Sequence, residues 1–438
     1  MKANQAKAVN LMREDKENPI VKRIAVKSLC RFTSPALIGS GFGENTDRDI
    51  LRDSSGRPFL PGSTIAGVLR SLCPQAKELF GEDRISPLWV FDADLPGDSV
   101  TEFDGVALDH DNKVALEQKK YDYEAISTGA AFTLRLLLII RKNDNAADFE
   151  DKFLQVIGAI KSGQLAFGAK TRRGFGRVDC ITTLKKEFDL APGNVDILNE
   201  WLDFDWNGTD GWQEAKASEY TGDTDTIIAK LILEGSIMIR DTRNIYEGLR
   251  EAEKTPDYKH ISIGGKPVIL GTSWAGAFRS GLHRLLKQRY ENADVYLDEV
   301  FGFVSEDEKD KSVSKIVFGM SQLKIANKKE DGYRNITRVK IDRFTGGAAA
   351  GALFNEKPWY GGETALEIRY PKDDEAIEEL ILLGLEAINF GMLQIGGETS
   401  VGRGFFKVTA VNGEAPGTHL GKPKQSLIAA IEKEGESK

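Results

Sequence analysis

Three aspartates, Asp47, Asp49 and Asp53, lie close together in residues 33–53, a segment that also carries Gly39, Gly41 and Gly43 and the interleaved Arg48 and Arg52. A carboxylate presented on a glycine-bearing loop can bind a divalent ion or orient an RNA 2′-hydroxyl for attack on the adjacent phosphate. The competing reading is a solvated loop of alternating charge. A second group sits at GAKTRRGFGR, residues 168–177, where close-approach glycines alternate with Lys170, Arg172, Arg173 and Arg177. Glycine lets main-chain N–H groups approach phosphate oxygens, arginine adds forked charge-assisted hydrogen bonds, and Phe175 either stacks on a base or packs inward. A surface hairpin that is merely basic is the alternative. GGETSVGRG, residues 396–404, is a less basic version that contributes Arg403.

Two helix starts, Pro61-Gly62-Ser63-Thr64 and Gly271-Thr272-Ser273, offer unpaired N–H groups that hold an anion or are simply capped by the Ser63 and Thr272 hydroxyls. His110, His260, His283 and His419 show no paired metal spacing, and no GxxxxGK[ST] phosphate loop is present. Only His260, in the second half's acidic loop, is a conceivable acid or base. Cys30, Cys73 and Cys180 are far apart and unmatched by any CxxC spacing, which points to buried thiols and not to a disulfide framework or zinc site.

The elements that position these residues occur twice. PFLPGSTIAGVLRS from Pro58 is echoed by PVILGTSWAGAFRS from Pro267, Leu79-Phe80-Gly81 by Val300-Phe301-Gly302, residues 106–109 by 339–342, and Arg173-Gly174-Phe175-Gly176-Arg177-Val178 by Arg403-Gly404-Phe405-Phe406-Lys407-Val408. Four matches in one order imply a duplicated domain. Each copy reads strand, helix, strand, helix, strand. Ile24, Val26, Ser28, Cys30 and Phe32 alternate on a first strand whose counterpart is the apolar run 227–233. Ile65, Leu69 and Leu72, or Trp274, Phe278 and Leu282, follow at helical spacing as core stripes. Strands at 132–140 and 366–370 precede helical segments at 147–161 and 374–390. The order implies an α+β fold of two tandem ferredoxin-like (RRM-like, βαββαβ) domains with long insertions after the first helix.

At 438 residues, 41% hydrophobic and 29% charged, the chain has material for two cores of ordinary size. The boundaries read as an extension over 1–22, a first domain over 23–189, a Gly-, Pro- and acid-rich linker over 190–225, a second domain over 226–414 and a polar tail over 415–438. No apolar run is long enough for a membrane helix and the opening lacks an apolar signal segment, so a cytoplasmic protein with no membrane partner is expected. A net charge of −8 argues against a free nucleic-acid binder unless the acidic residues are segregated from a local basic surface.

The first half closely resembles the RAMP-superfamily backbone subunits of type III CRISPR effectors, the seventh Cas family. The resemblance rests on Ile38-Gly39-Ser40-Gly41, Asp47 with Asp53, Pro58 through Gly67, and Gly168 through Arg177. The second half is similar but diverged, with a shortened acidic loop, and two copies in one chain resemble the tandem type III-D subunit. The resemblance implies guide RNA, target RNA and other Cas subunits as partners. It also implies β-hairpin thumbs near 106–124 and 339–356 that fold over the guide–target duplex. Asp47 then becomes a metal-binding catalytic residue for cleavage of target RNA with Mg²⁺ or another divalent ion such as Mn²⁺. Asp257, with Asp241 as competitor, becomes its second-half counterpart, while Lys170, Arg172, Arg173, Arg177 and Arg403 steady guide phosphates together with the helix starts at Ser63 and Thr272. A non-catalytic scaffold subunit and a guide-precursor endoribonuclease are the rival readings.

Overall fold

The computed structural model describes residues 18–41, 43, 46–81, 85–108, 115–241, 256–303, 311–325 and 332–436. Helices pack on antiparallel sheets in two compact units, one comprising Met1–Thr101, Ala125–Ala169 and Gly176–Gly222, the other Glu102–Glu124, Lys170–Phe175 and Asp223–Lys438.

The principal elements of the first half are β1 (Ile20–Phe32), α1 (Gly62–Leu72), β2 (Leu88–Val90), β3 (Val100–Leu108), β4 (Ala115–Ile126), β5 (Ala131–Arg141), α2 (Ala146–Lys161), β6 (Val178–Asp189), α3 (Val195–Leu202) and β7 (Gln213–Glu214). The first unit's sheet runs β2-β5-β1-β6-β7, antiparallel throughout. Period-two alternation puts Ile24, Val26, Cys30 and Phe32 of β1 on the face that receives Ile65 and Leu69 of α1 and Phe149, Phe153, Val156, Ile157 and Ile160 of α2. Asn145 caps α2 by accepting from Asp148 N–H.

Five expectations change in the folded chain. Ser63 does not cap α1: Pro61 is the N-cap residue without a side-chain bond, and the first helical N–H, on Gly62, donates to Asp92 Oδ1 at 2.6 Å. A carboxylate from another part of the chain already occupies the anion position that the helix dipole favours. Cys30 and Cys180 form a disulfide, because β1 and β6 bring them directly opposite each other beside a bulge at Leu29/Cys30, while Cys73 is a buried thiol. Their separation of 150 residues hides this pairing from any spacing argument.

Residues 190–222, expected as a linker, belong to the first unit. Trp201 and Phe204 pack edge-on against Phe188, and Phe204 also meets Trp206 and Trp212, so this segment covers Ala25, Leu137 and Ile139 on the second face of the sheet. Arg23 lies 4.2 Å over Trp201 and Lys27 4.2 Å over Trp212. Composition marked the stretch as polar; its aromatic residues decide its fate, because their large apolar rings pack against Ala25, Leu137, Ile139 and Phe188.

The second half contributes β8 (Thr224–Glu234), β9 (Arg240–Asp241), β10 (Tyr258–His260), α4 (Gly271–Leu286), α5 (Ala293–Phe301), β11 (Val317–Phe318), β12 (Ile336–Ile341), β13 (Ala348–Lys357), β14 (Glu363–Pro371), α6 (Glu375–Asn389), β15 (Phe405–Val411) and α7 (Gln425–Glu436). Its main antiparallel sheet runs β11-β14-β8-β15, and a second, mixed sheet runs β9-β10-β13-β12. Trp274, Phe278 and Leu282 of α4 and Leu380, Ile381 and Leu385 of α6 bury against Ile227, Ala229, Leu231 and Leu233 of β8. Thr272 does not cap α4, whose N-cap residue is Leu270. The expected polar tail is partly core: Leu427 and Ile431, one helical turn apart on α7, are each 1% exposed.

Phe188 is fully buried under Trp201 and Phe204. Phe188→Ala is expected to cost about 3–5 kcal/mol and to make residues 190–214 accessible to protease, read by urea unfolding and limited proteolysis.

Candidate nucleic-acid interface

In the acidic loop the three aspartates have different fates. Asp49 is buried, and its Oδ1 accepts from Thr46 N–H at 3.0 Å and from Thr46 Oγ1 at 2.8 Å. Asp53 closes a turn, accepting from the N–H groups of Arg57 and Ser55 and from the Arg57 guanidinium; these bonds, the Arg57 N–H foremost, hold its carboxyl below the usual carboxylate range. Asp47 is the exposed one. The chain leaving β1 is pinned on either side by paired bridges, Gly39 with Ile50 and Arg52 with Pro58, so the loop's base is ordered.

The basic loop is built on left-handed backbone. Lys170 has φ +58°, Thr171–Arg173 form one 3₁₀ turn, and Gly174 and Gly176 have φ of +79° and +68°. Gly176 is obligatory, because a Cβ there would overlap the carbonyl oxygen of Phe167. Its close approach is thus to the protein's own backbone. Within the turn Arg172 and Arg173 are exposed. Arg177 is half-buried, and its backbone bonds to Ser34 Oγ and Thr33 N–H. Lys170 is drawn inward, its Nζ 3.6 Å over the Tyr123 ring, 4.8 Å over Tyr121 and 3.2 Å from the Tyr121 hydroxyl.

The second glycine loop repeats this backbone but not its chemistry. Glu398 has φ +59°, Thr399–Val401 form the 3₁₀ turn, and Gly402 and Gly404 have φ of +85° and +78°. This overturns the sequence register by two residues: Phe175, not Arg173, is the counterpart of Arg403. Arg403 is 3% exposed, donates to Glu356 Oε2 at 2.9 Å and also pairs with Glu398. It is not presented to a ligand.

The second-half carboxylates and His260 are placed by the mixed sheet. Asp257 is exposed, and its Oδ2 accepts from Asn355 N–H of β13 at 2.7 Å. Asp241 is buried on β9, opposite Lys259. His260 is fully buried and accepts at Nδ1 from Ile239 N–H at 3.0 Å; desolvation, against weaker opposing effects of Val268 and Asp241, pushes its pKa down to about 3. It is a neutral core residue and not an exposed acid or base. Ser63 is exposed on the first turn of α1, whereas the start of α4 is closed by backbone: a Cβ on Gly271 would meet the carbonyls of Arg173 and Phe318, leaving Thr272 half-buried beside them. The insertion expected near 106–124 falls partly on 109–114, outside the described residues.

Both halves match the model of one family, over residues 29–179 and 230–407. The chain belongs to the RAMP superfamily. Each RAMP match carries an acidic-loop segment, a helix start and a glycine loop, so duplicated sequence and repeated loop backbone agree. A comparison with curated proteins finds no match. Among the described residues no helix is long and apolar enough to cross a membrane. Among the same residues no group of three or more His, Cys, Asp or Glu side chains is arranged to hold a metal ion. Asp47 offers a single carboxylate, which suits a Mg²⁺ whose other ligands are water and substrate phosphate oxygens.

The buried His260 carries a signature of its own. The unfolded chain takes up a proton near about pH 6.5 that the folded chain refuses until about pH 3, so the stability from neutral His260 is complete above the higher value and lost as pH falls toward the lower. In urea unfolding at neutral and acid pH, His260→Gln is expected to show a shallower acid loss than the native chain, by about one proton; equal slopes would refute it.

Proposed function

We propose that this RAMP protein is an RNA-binding backbone subunit of a type III CRISPR effector, with one ferredoxin-like domain in each half and a β-hairpin thumb on each. The orders β2-β5-β1-β6 and β11-β14-β8-β15 support the fold, since each sets the first strand of its copy between the third and the last. The pairing of β3 with β4 and of β12 with β13 into hairpins supports the thumb reading. The observation that carries RNA binding is the pair Arg172 and Arg173, exposed on a turn bracketed by left-handed Lys170 and Gly174 in a chain of net charge −8. Guide–target pairing supplies sequence recognition, and the protein grips backbone and shape. Guide RNA, target RNA and neighbouring Cas subunits are the partners in this reading.

Asp47 is the proposed catalytic residue, holding Mg²⁺ or Mn²⁺ together with RNA phosphate oxygens. The ion supplies charge neutralisation at the scissile phosphate when bound. The 2′-hydroxyl of the RNA gives up its proton to solvent water as its oxygen attacks the adjacent phosphorus, forming an O2′–P bond as the P–O5′ bond breaks, and the departing 5′ oxygen takes a proton from solvent water. Asp257, exposed where Asp241 is buried, is the second-half candidate.

The decisive measurement is cleavage of end-labelled complementary RNA by the assembled guide complex, comparing Asp47→Ala, Asp257→Ala and the double variant at equal RNA occupancy. Loss of discrete cuts in Asp47→Ala with binding intact is expected; unchanged cutting in every variant would move the protein to the scaffold reading. Separately, Arg172→Ala with Arg173→Ala is expected to lower the slope of log affinity against log salt by about 1.4 for single-stranded RNA, about 0.7 per lost phosphate contact. An unchanged slope would remove both arginines from the interface.

A further inference from the structure

The two glycine loops each meet a hairpin, and they do so with opposite chemistry. In each copy the loop is tied to the chain leaving the first strand, through Gly176 N–H to Pro35 C=O and Gly404 N–H to Ser236 C=O. The end of each hairpin is tied to the same chain, through the pairs Ala36–Ile126, at the last residue of β4, and Ile237–Trp359, two residues past β13. Counting three residues back from Ile126 and Trp359 makes Tyr123 and Glu356 equivalent. The loop dihedrals make Lys170 equivalent to Glu398 and Phe175 to Arg403. Three equivalent positions therefore carry tyrosine, lysine and phenylalanine in one copy and glutamate, glutamate and arginine in the other.

Both triplets are contacts between hairpin and loop. In the first, the Lys170 ammonium sits over Tyr123, with Phe175 6.3 Å from Tyr123 and 6.4 Å from Phe103 across the ring cluster. In the second, Arg403 bridges Glu356 of β13 and Glu398 of the loop, and Arg338 of β12 approaches the same two carboxylates at 3.2 and 3.3 Å. Arg240 adds a further contact to Glu398 at 3.5 Å.

We propose that these are two versions of one latch that fixes each hairpin to its glycine loop, and that Arg403 is a positioning residue of the second latch. A buried arginine with two carboxylates does the work that a cation on aromatic rings does in the other copy. Removing Arg403 alone leaves the buried Glu356 and half-buried Glu398 without their closest counter-charge, whereas exchanging the whole triplet removes both carboxylates and leaves no orphaned charge once Arg338 and Arg240, which paired with them, are made neutral in the same variant. The importance of the latch for RNA rests on the thumb reading above; its existence does not, so it is tested on the full chain without RNA.

The test is amide hydrogen exchange, resolved by segment, on Arg403→Met and on the exchanged triplet Glu356→Tyr, Glu398→Lys, Arg403→Phe carried together with Arg240→Gln and Arg338→Gln, so that no arginine is left facing the new lysine. Arg403→Met is expected to speed exchange of 336–341 and 353–357 by about tenfold or more while α6 keeps its protection, and the triplet to return within about threefold of the native rate. Unchanged hairpin exchange in Arg403→Met, equal acceleration in α6, or a triplet as fast as the single variant would overturn the proposal. Should Arg403→Met not fold, Lys170→Met reads the first latch: faster exchange at Tyr121 and Tyr123 supports it, and unchanged exchange there defeats it.

Discussion

Two backbone hydrogen bonds set the geometry on which the rest depends: Gly176 N–H to Pro35 C=O at 2.6 Å, and Gly404 N–H to Ser236 C=O at 2.8 Å. Each brings a glycine loop to within a backbone's width of the chain leaving the central strand. A Cβ on Gly176 would overlap the Phe167 carbonyl oxygen and one on Gly404 that of Ile395, so glycine is required on structural grounds before any ligand is considered. The turn between the left-handed residues is then committed to one course. Its exposed positions hold Arg172 and Arg173 in the first copy and Ser400 and Val401 in the second. Its inner positions face the hairpin in both.

The same docking explains which parts of the protein could be read from sequence and which could not. Strand and helix periodicities located β1, α1, β5, α2 and their second-half equivalents, because burial of one face is written locally, every second or every third to fourth residue. Interactions over long sequence distance were invisible: Asp92 capping Gly62 from thirty residues away, Cys30 meeting Cys180, Arg403 finding Glu356. Arg403 was misread because an arginine beside glycines looks like a phosphate ligand whether or not two glutamates lie next to it. The signal that could have corrected it was the glycine spacing, since aligning Gly174 and Gly176 with Gly402 and Gly404 places Arg403 opposite Phe175. The segment after β6 was misread because acidic residues and glycines outnumber its tryptophans, while the tryptophans dominate its energetics.

Charge shows the same division between what is present and what is presented. Of the cations on the first unit's sheet, Arg23 and Lys27 lie over tryptophan rings, Lys22 pairs with Glu150 and Glu187, and Lys186 pairs with Glu200. Of the aspartates in the acidic loop, Asp49 and Asp53 bind neighbouring main-chain and side-chain donors. A count of acids and bases therefore says little about the field an RNA would meet. Exposed groups on ordered turns, Arg172 and Arg173 on one loop and Asp47 on another, matter more than the total.

Duplication has kept the loop backbone nearly unchanged while replacing the contacts it makes. The paired φ values differ by 1° at Lys170 and Glu398, by 6° at Gly174 and Gly402, and by 10° at Gly176 and Gly404. Physical necessity explains the contrast. A positive φ beside a carbonyl admits almost no residue but glycine, so that position has no local substitute. A half-buried contact between a hairpin and a loop has many: a cation on aromatic rings and an arginine between two carboxylates both fill space and leave no charge unopposed. The second loop, having turned its arginine inward, presents no cation at Ser400 or Val401 where the first presents two. The copies therefore share a scaffold but present different electrostatic faces, and the exposed pair of arginines belongs to the first.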